Sequence, residues 1–341
     1  MNKGVSIVIC CYNSAKLLPE TIRHISKLKI PPGTSCEIVI VDNNSNDNTS
    51  DTAQELLNKY ITSNFTYKIL FQSIQGLSAA RKMGFENSVN EYILFCDDDN
   101  LLNEDYILIL TDTLNNNENI GAAGGESTAV SDVKFPEWFQ KFQNSYSSGK
   151  QSDFNGNITR TSGAVWGAGM AVRKKALVDL YSKGFTPFLS DRKKESLTSG
   201  GDIELCYALR LAGWEIWYES SLRLEHFIPE HRLNWNYLRK LSRGFGAQKV
   251  SLDPYLKAFD KTTSNGKLKR ETKWQYQAFR LIKKLRGYGF KKLIRFSELN
   301  EGDEEILRIE KTIGRLSEIL KIRGEYNKRI LTVKEAQWKK V

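Results

Sequence analysis

The stretch Tyr92-Ile93-Leu94-Phe95-Cys96-Asp97-Asp98-Asp99 joins an apolar run to three consecutive carboxylates. The apolar run is typical of a buried strand, and like charges at its end repel one another unless a cation or hydrogen-bond donors lie beside them. A site for a metal ion and a phosphate group is therefore one interpretation. A solvated acidic turn is the other, because Asp is common where a strand gives way to a loop. The triplet alone does not separate the two.

Two further apolar segments of the N-terminal half also end in polar side chains. Val5 to Cys11 predicts a buried strand followed by Tyr12 and Asn13, and Glu37 to Val41 predicts another followed by Asp42. Helical segments alternate with these strands, which is typical of parallel βαβ units. Because ligands bind beyond the carboxyl ends of parallel strands, all three sets of polar side chains are expected at one rim. This agreement favours the metal and phosphate interpretation.

The remaining pattern predicts an α/β domain. Segment 127–160 lacks a regular pattern and is predicted to be a functional loop or lid. No GxGxxG or GxxxxGK[ST] motif follows the first strand, which argues against a dinucleotide fingerprint and a P-loop. Helices are predicted at 15–27, 50–60, 77–87, 174–181 and 201–211, and further strands at 67–72 and 214–219.

Composition indicates a soluble globular protein. The chain has 341 residues, of which 40% are hydrophobic and 26% charged. No segment approaches the roughly 18 uninterrupted apolar residues that span a bilayer. The N-terminus enters a strand without a signal-peptide pattern, so we expect a cytoplasmic protein. The five cysteines form no CxxC pair and are predicted to be buried free thiols.

The formal charge of +10 is concentrated towards the C-terminus. Lys267 to Phe296 carries eleven Lys and Arg against one acid, with six aromatic residues interleaved. We expect a domain over residues 1–250 and a basic helical extension over residues 251–341. Apolar residues then repeat at steps of three and four, as in the seam of a paired helix: Ile306, Ile309, Ile313, Leu316 and Leu320.

This extension admits three interpretations. Nucleic-acid binding fits any basic patch with aromatic residues, but nothing else in the chain supports it. A solvated basic helical face is the simplest alternative. We prefer peripheral attachment to an anionic membrane surface, because basic amphipathic helices with aromatic residues bind there. The apolar seam could pack on the preceding domain or mediate a homodimer.

A second acidic motif, Gly201-Asp202-Ile203-Glu204, opens the helix predicted at 201–211. The helix dipole favours ionised carboxylates in a first turn. An ionised carboxylate in a cleft can serve as general base towards a hydroxyl group. Simple capping by Asp202 is the alternative, and from the motif alone it is preferred.

Taken in order, the motifs resemble those of the family 2 glycosyltransferases, nucleotide-sugar enzymes of the GT-A fold. The resemblance covers roughly residues 4–245 and implies a Rossmann-like domain with a mostly parallel central sheet. It rests on the segments VSIVICCYNSAKLLPETI, VIVDNNSNDNT, QGLSAARKMGF, YILFCDDDN and GGDIELCYALRLAGWEIWY.

The resemblance implies roles for the residues that would hold a nucleotide. Asp42 corresponds to the residue that hydrogen-bonds the nucleobase, and Tyr12 and Asn13 line the same pocket. Arg81 corresponds to a residue that faces the diphosphate. Lys82 follows it where the family often has Asn.

The resemblance also assigns the Asp triplet. Asp97 and Asp99 occupy the family's DxD motif, and Asp99 is expected to bind Mn²⁺ or Mg²⁺. Asp97 or Asp98 would contact the ribose or the hydration shell of the cation. His226 resembles a histidine that approaches the metal or the diphosphate, with a purely structural role as the alternative.

The catalytic base implied by the resemblance is Asp202, which matches the second acid of the family's Glu-Asp motif. Gly201 replaces the first acid, and Glu204 is the candidate for the missing negative charge. Trp166 is placed at an acceptor wall by analogy, with core packing as the alternative.

The implied reaction is transfer of a sugar with inversion from a nucleotide sugar, by default a UDP-sugar, to a hydroxyl group of a glycan or lipid-linked acceptor. Such reactions serve cell-surface polysaccharide synthesis. One alternative is a catalytically silent glycan-binding or scaffold protein of the same fold. Another is a sugar-nucleotide nucleotidyltransferase, although the glycine-rich, arginine-bearing loop of those enzymes is missing after the first strand. Processive polysaccharide synthases share the motifs but normally add membrane helices.

Overall fold

A computed structural model describes residues 2–62, 64–189, 199–259, 263–264, 267–288 and 301–340. Most of the described strands belong to one mixed sheet: β1 (Asn2–Cys11), β2 (Ser35–Asp42), β3 (Thr66–Phe71), β4 (Asn90–Asp97), β5 (Asn100–Leu102), β6 (Ile120–Val130), β7 (Gly156–Asn157), β8 (Ala171–Arg173) and β9 (Glu215–Phe227). Two further strands form a separate antiparallel pair: β10 (Thr263–Ser264) and β11 (Lys267–Leu268).

Helices cover both faces of this sheet and form the C-terminal region. They are α1 (Leu18–Ile25), α2 (Thr49–Tyr60), α3 (Leu77–Asn87), α4 (Tyr106–Asn116), α5 (Phe139–Phe142), α6 (Lys174–Ser182), α7 (Gly201–Leu211), α8 (Trp235–Phe259), α9 (Trp274–Gly287), α10 (Glu304–Lys321) and α11 (Arg323–Lys334). Short 3-10 helices lie at Gln143–Tyr146, Glu230–Arg232 and Arg270–Thr272. Within the described ranges, none of the helices is both long and apolar enough to cross a bilayer.

The sheet has the order β3-β2-β1-β4-β8-β6-β9-β5, and β7 pairs with β9. β1 runs parallel to β2 and β4, and β2 runs parallel to β3. Cys11 lies opposite Asp42 and Cys10 lies opposite Asp97, so three strand ends meet at one rim. The predicted α/β architecture with a mostly parallel sheet is confirmed.

β1 contributes to a separate apolar core on each face of the sheet. Val5, Ile7 and Ile9 pack with residues of α1, α2 and α4, whereas Val8 packs with residues of α3, α6 and α7. All four side chains are fully buried, and burying each one stabilises the fold by about 1.5–3 kcal/mol. Because both faces are covered, β1 has a continuous apolar sequence instead of an alternating one.

In the second half of the sheet, two segments differ from the secondary structure predicted from the sequence. Residues 127–160, predicted to be irregular, include the end of β6, helix α5 and strand β7. The strand predicted at 214–219 continues to Phe227, because β9 pairs with β6 along its length and with β5 near its end. The extension brings His226 opposite Asn100, directly after the Asp triplet.

The C-terminal helices pack against the domain that precedes them. α8 runs without a break across residue 250, where a domain boundary was predicted. Tyr255 of α8 and Trp338 join the same apolar cluster as α3, α6 and α7. Ile306 and Ile309 of the predicted seam are fully buried, and Ile306 packs with residues of α8. The inner part of the seam is thus covered within this chain; the predicted basic residues at 289–296 lie outside the described residues.

α8 and α10 cross at a close contact between small residues. A Cβ added at Gly314 of α10 would overlap the backbone oxygen of Arg243 on α8. Beside this crossing, Glu310 of α10 is almost fully buried and accepts hydrogen bonds from Arg239 Nε at 3.1 Å and Arg243 Nε at 2.7 Å. A buried carboxylate held by two guanidinium groups fixes the register of the two helices.

We expect Gly314→Ala to destabilise the protein by about 1–3 kcal/mol, because the added methyl group must push the two helix backbones apart. Thermal unfolding of the purified variant measures this change. Gly324→Ala in α11 is the matched control, since nothing lies within 4 Å of a Cβ there. The control is expected to gain about 0.5–1 kcal/mol from helix propensity. Equal stability of the two variants would contradict the close crossing.

Candidate active site

Two cavities open at the rim where β1, β2 and β4 end. The first, called the β1 cavity, has a volume of about 400 Å³ and is lined by the end of β1, the loop after it and the start of α3. The second, called the α7 cavity, has a volume of about 540 Å³ and is lined by the starts of α3 and α7 and by residues of α8 and α10. Asp97 and Arg232 line both cavities, so the two cavities are adjacent.

Asp97 and Asp98, the first two carboxylates of the triplet, face different partners. Asp97 Oδ1 lies 3.5 Å from Nη2 of Arg81. Asp98 accepts a hydrogen bond from the hydroxyl group of Ser14, in the loop after β1. Burial, and then the negative charge of Asp99, raises the pKa of Asp98 to about 7. The mutual repulsion of the triplet is therefore reduced by separate partners.

Asp99 lies in the most buried position of the triplet, with 4% of its surface exposed. Its Oδ1 lies 3.4 Å from Nε2 of His226, and its Oδ2 lies 3.2 Å from Nη1 of Arg232. His226 Nδ1 lies 2.8 Å from the carbonyl oxygen of Tyr146. Because a carbonyl oxygen can only accept, Nδ1 carries a proton, and in the neutral ring Nε2 keeps its lone pair towards Asp99.

These two side chains have the chemistry of a partial cation site. Mg²⁺ and Mn²⁺ both favour carboxylate oxygens, Mn²⁺ also accepts imidazole, and both commonly keep positions for phosphate oxygens and water. A metal-bound histidine typically donates its other N–H to a carbonyl group, as His226 does to Tyr146. Among the described residues, no group of three or more His, Cys, Asp or Glu is arranged to hold a metal alone. Asp99 and His226 therefore offer two of the ligands that a divalent cation needs, and the remaining positions would have to come from a ligand or water.

The residues expected to hold a nucleotide lie around the β1 cavity. Tyr12 and Asn13 line it, and Tyr12 is 46% exposed. Asp42 is buried, and its carboxylate accepts hydrogen bonds from the backbone of Ser45 at 2.9 Å and the hydroxyl group of Ser50 at 2.6 Å. Asp42 is not among the residues that line the β1 cavity, and its carboxylate is bound by the loop and helix that follow β2.

Arg81 faces the site, whereas Lys82 faces away from it. The Arg81 guanidinium lies 5.5 Å from the ring centre of Phe95 and packs against Gly167. Lys82 forms an exposed ion pair with Glu86 at 3.7 Å. The departure from the family pattern at Lys82 thus falls outside the α7 cavity.

Asp202 lies at the wall of the α7 cavity, in the first turn of α7. Its Oδ2 accepts a hydrogen bond from the backbone N–H of Gly167 at 2.6 Å, and its Oδ1 from that of Ile203 at 2.8 Å. Each carboxylate oxygen keeps a further lone pair for a ligand. Trp166, next to Gly167, lines the same cavity.

Glu204 points away from both cavities. It is fully buried, and its carboxylate accepts hydrogen bonds from the N–H groups of Phe188 at 2.7 Å and Leu189 at 2.9 Å. The hydroxyl group of Tyr255 on α8 donates to it at 2.6 Å. The structure therefore places Glu204 in the packing between α7 and α8, because these donors satisfy its charge there.

Sequence reasoning missed several polar groups at the site. Arg232 and Tyr237 line both cavities, and Ser14 binds Asp98. Arg232 follows β9. Polar residues after parallel strands are expected at the rim, so this rule would have indicated Arg232 if the full length of β9 had been predicted. The same rule covers Ser14, which follows β1 in the loop that begins with Tyr12 and Asn13.

Comparison with known proteins identifies the class. The sequence model of glycosyl transferase family 2 matches residues 6–180, just over half of the chain. The chain therefore belongs to this family.

Individual curated relatives share low sequence identity with this chain. A poly-beta-1,6-N-acetyl-D-glucosamine synthase of Staphylococcus aureus is 22% identical over 232 residues, which are 67% of this chain and 51% of that protein. The chain spans about half or less of the length of the first curated relatives that it matches.

Solved structures show the same fold. Mannosyltransferase PcManGT from Pyrobaculum calidifontis, in complex with GDP-Man and Mn²⁺, has a TM-score of 0.56 at 13% identity, covering 95% of this chain and 87% of that one. Residues 1–349 of TarS from S. aureus, in complex with UDP-GlcNAc, have a TM-score of 0.51 at 15% identity, covering 97% and 90%. The fold is the GT-A type of glycosyltransferase.

Proposed function

We propose that this protein is a metal-dependent inverting glycosyltransferase that moves a sugar from a UDP-sugar to a hydroxyl group of a glycan or lipid-linked acceptor. The observation that carries the proposal is the position of Asp202 in a cavity shared with Arg81 and Asp97. A potential base and the residues suited to a diphosphate thus line one space. Among the similar structures, TarS was solved with UDP-GlcNAc, which supports a UDP-sugar as the first donor to test.

Asp202 acts as the general base in this proposal. The N–H of Gly167 holds one carboxylate oxygen, which orients the group towards the cavity. Asp202 takes the proton of the acceptor hydroxyl group while that oxygen forms a bond to the anomeric carbon. The bond from this carbon to the phosphate oxygen breaks, and the nucleoside diphosphate leaves with inversion at the sugar.

Asp99 and His226 would hold the cation, and Arg81 adds a positive charge near Asp97. A bound Mn²⁺ or Mg²⁺ would neutralise charge that develops on the leaving diphosphate. Arg232 pairs with Asp99 and lines both cavities, so it is placed to contact the same diphosphate.

Replacing Asp202 with Asn should lower sugar transfer by about 10²–10⁴-fold, the usual contribution of a general base. Donor binding, measured by calorimetry, should change little because the proposed contacts to the donor come from other residues. Asp51→Asn is the control, since Asp51 is exposed on α2. Sugar transfer at the wild-type rate by the Asp202 variant would refute the assignment of Asp202 as the base. If the wild-type protein binds the donor but neither transfers nor hydrolyses it, the silent glycan-binding alternative is favoured.

Donor binding should depend on Mn²⁺ through Asp99. We expect a UDP-sugar to bind the wild type more tightly with Mn²⁺ than with a chelator, and Asp99→Asn to abolish this difference. His226→Gln should weaken the metal-dependent part by about 10–100-fold, as expected for a ligand or its support. Calorimetry measures both, and thermal unfolding checks that the variants are folded. An unchanged Mn²⁺ effect in both variants would contradict the proposed cation site.

The surface of α9 supports peripheral attachment to an anionic membrane. Phe279 is 63% exposed and Ile282 is 40% exposed on this helix. Both lie one turn apart on one helical face. Four exposed basic side chains accompany them on α9: Arg280, Lys283, Lys284 and Arg286. Exposed apolar side chains flanked by cations are suited to the headgroup region of an anionic bilayer.

Vesicle flotation tests this surface with the full chain. The wild type should float with vesicles that contain phosphatidylglycerol and much less with neutral vesicles. The double variant Phe279→Ser/Ile282→Ser should lose about tenfold or more in binding, because two apolar side chains no longer enter the bilayer. Phe154→Ser is the control, since Phe154 is 50% exposed elsewhere on the surface. Equal flotation of the double variant and the wild type would exclude α9 as the attachment site.

A further inference from the structure

The α7 cavity extends from Asp202 to three cations supplied by the C-terminal helices. Lys249 of α8 and Lys311 and Arg315 of α10 all line this cavity. Lys311 and Arg315 are four residues apart, so they lie on the same face of α10. These three residues are called the cation cluster.

The cation cluster has more positive charge than its surroundings neutralise. Arg315 Nη2 binds both carboxylate oxygens of Asp253, at 2.9 and 3.0 Å. Within the part of the chain that the structure describes, neither Lys249 nor Lys311 forms an ion pair. Burial, and then the charge of Lys249, holds the pKa of Lys311 below its usual value. Cations that repel one another in a cavity are stabilised when an anion binds between them.

The guanidinium of Arg315 has an unused donor as well. Its Nε is buried and has no hydrogen-bond acceptor among the described residues. Its Nη2 is held by Asp253, so the guanidinium is oriented before any ligand arrives. Buried donors without an acceptor are rare in folded proteins, so this one calls for an explanation such as a bound water or ion.

The cation cluster lines the same cavity as Asp202, the proposed base. It lies on α8 and α10, whereas the residues proposed to hold the donor lie on other helices, strands and loops. The side chain of Gln248, next to Lys249, packs closely on Gly200. A Cβ added at Gly200 would overlap the side-chain amide nitrogen of Gln248. Gly200 has a φ of 111° and directly precedes α7, which carries Asp202. Arg81, by contrast, lines the cavity from α3, not from the C-terminal helices. A ligand that spans from the cluster to Asp202 would therefore be an acceptor.

We propose that the cation cluster binds a phosphoryl group of the acceptor, so that the acceptor is a phosphorylated molecule and not a neutral glycan. This proposal rests on the proposed function, because it takes Asp202 as the base. An arginine fork and two ammonium groups are the usual protein partners of phosphate oxygens. The phosphoryl group anchors the acceptor while a neighbouring hydroxyl group reaches Asp202. A phosphodiester chain and a lipid-linked sugar diphosphate share this chemistry.

Binding measurements can test the cluster without relying on catalysis. The probes are an oligomer of glycerol phosphate and a polyprenyl diphosphate sugar in detergent micelles, each compared with its dephosphorylated counterpart. Calorimetry is done on the full chain with the site saturated by UDP and Mn²⁺. We expect at least one phosphorylated probe to bind about tenfold or more tightly than its counterpart, and the preferred probe identifies the source of the phosphate.

The double variant Lys249→Gln/Lys311→Gln should lose this preference, whereas Lys240→Gln should keep it, because Lys240 is exposed on α8 outside the cavity. Arg315 is left unchanged because its pairing with Asp253 supports the packing of α8 on α10. UDP binding should be the same in all three proteins.

Equal binding of phosphorylated and neutral probes by the wild type would overturn the proposal, as would a preference that survives in the double variant. Loss of UDP binding in the double variant would also overturn it, because the cluster would then belong to the donor. If wild-type protein binds no nucleotide yet keeps the phosphoryl preference, the proposed function fails while the anion site stands.

Discussion

The parallel register of β1 with β2 and β4 is the constraint on which the rest of the structure depends. Backbone hydrogen bonds along these strands set Cys11 opposite Asp42 and Cys10 opposite Asp97. A shift of one residue would turn every side chain of a strand to the opposite face, and both faces of β1 are packed by helices. The burial of β1 thus fixes the register, and the register brings the polar strand ends to one rim.

The Asp triplet shows how neighbouring like charges are accommodated at this rim. Asp97 faces Arg81 of α3, Asp98 accepts from Ser14, and Asp99 is buried between His226 and Arg232. Each partner comes from a different part of the chain. The repulsion that made the triplet conspicuous in the sequence is therefore offset by contacts that only the folded chain provides, and the three carboxylates are chemically distinct as a result.

The C-terminal helices complete the site in addition to covering the sheet. α8 and α10 supply one wall of the α7 cavity, and Glu310 and Asp253 hold the two helices together through buried pairs with arginine. Glu204 joins α7 to α8 by accepting the Tyr255 hydroxyl hydrogen bond. The first turn of α7, with Asp202, is thus positioned by residues that follow it by many positions in the chain.

The sequence by itself determined the α/β architecture, the alternation of parallel strands and helices in the N-terminal half and the polar residues at the ends of those strands. These features follow from local apolar patterns and from the geometry of parallel strands, which act over short distances along the chain. Tertiary structure alone decided that β9 extends to His226, that α8 continues across residue 250 and that Glu204 faces the core. It also placed Arg232 beside Asp99 and the cation cluster beside the α7 cavity. The physical reason is that side-chain orientation and partner choice depend on packing between distant segments, which neither periodicity nor spacing encodes.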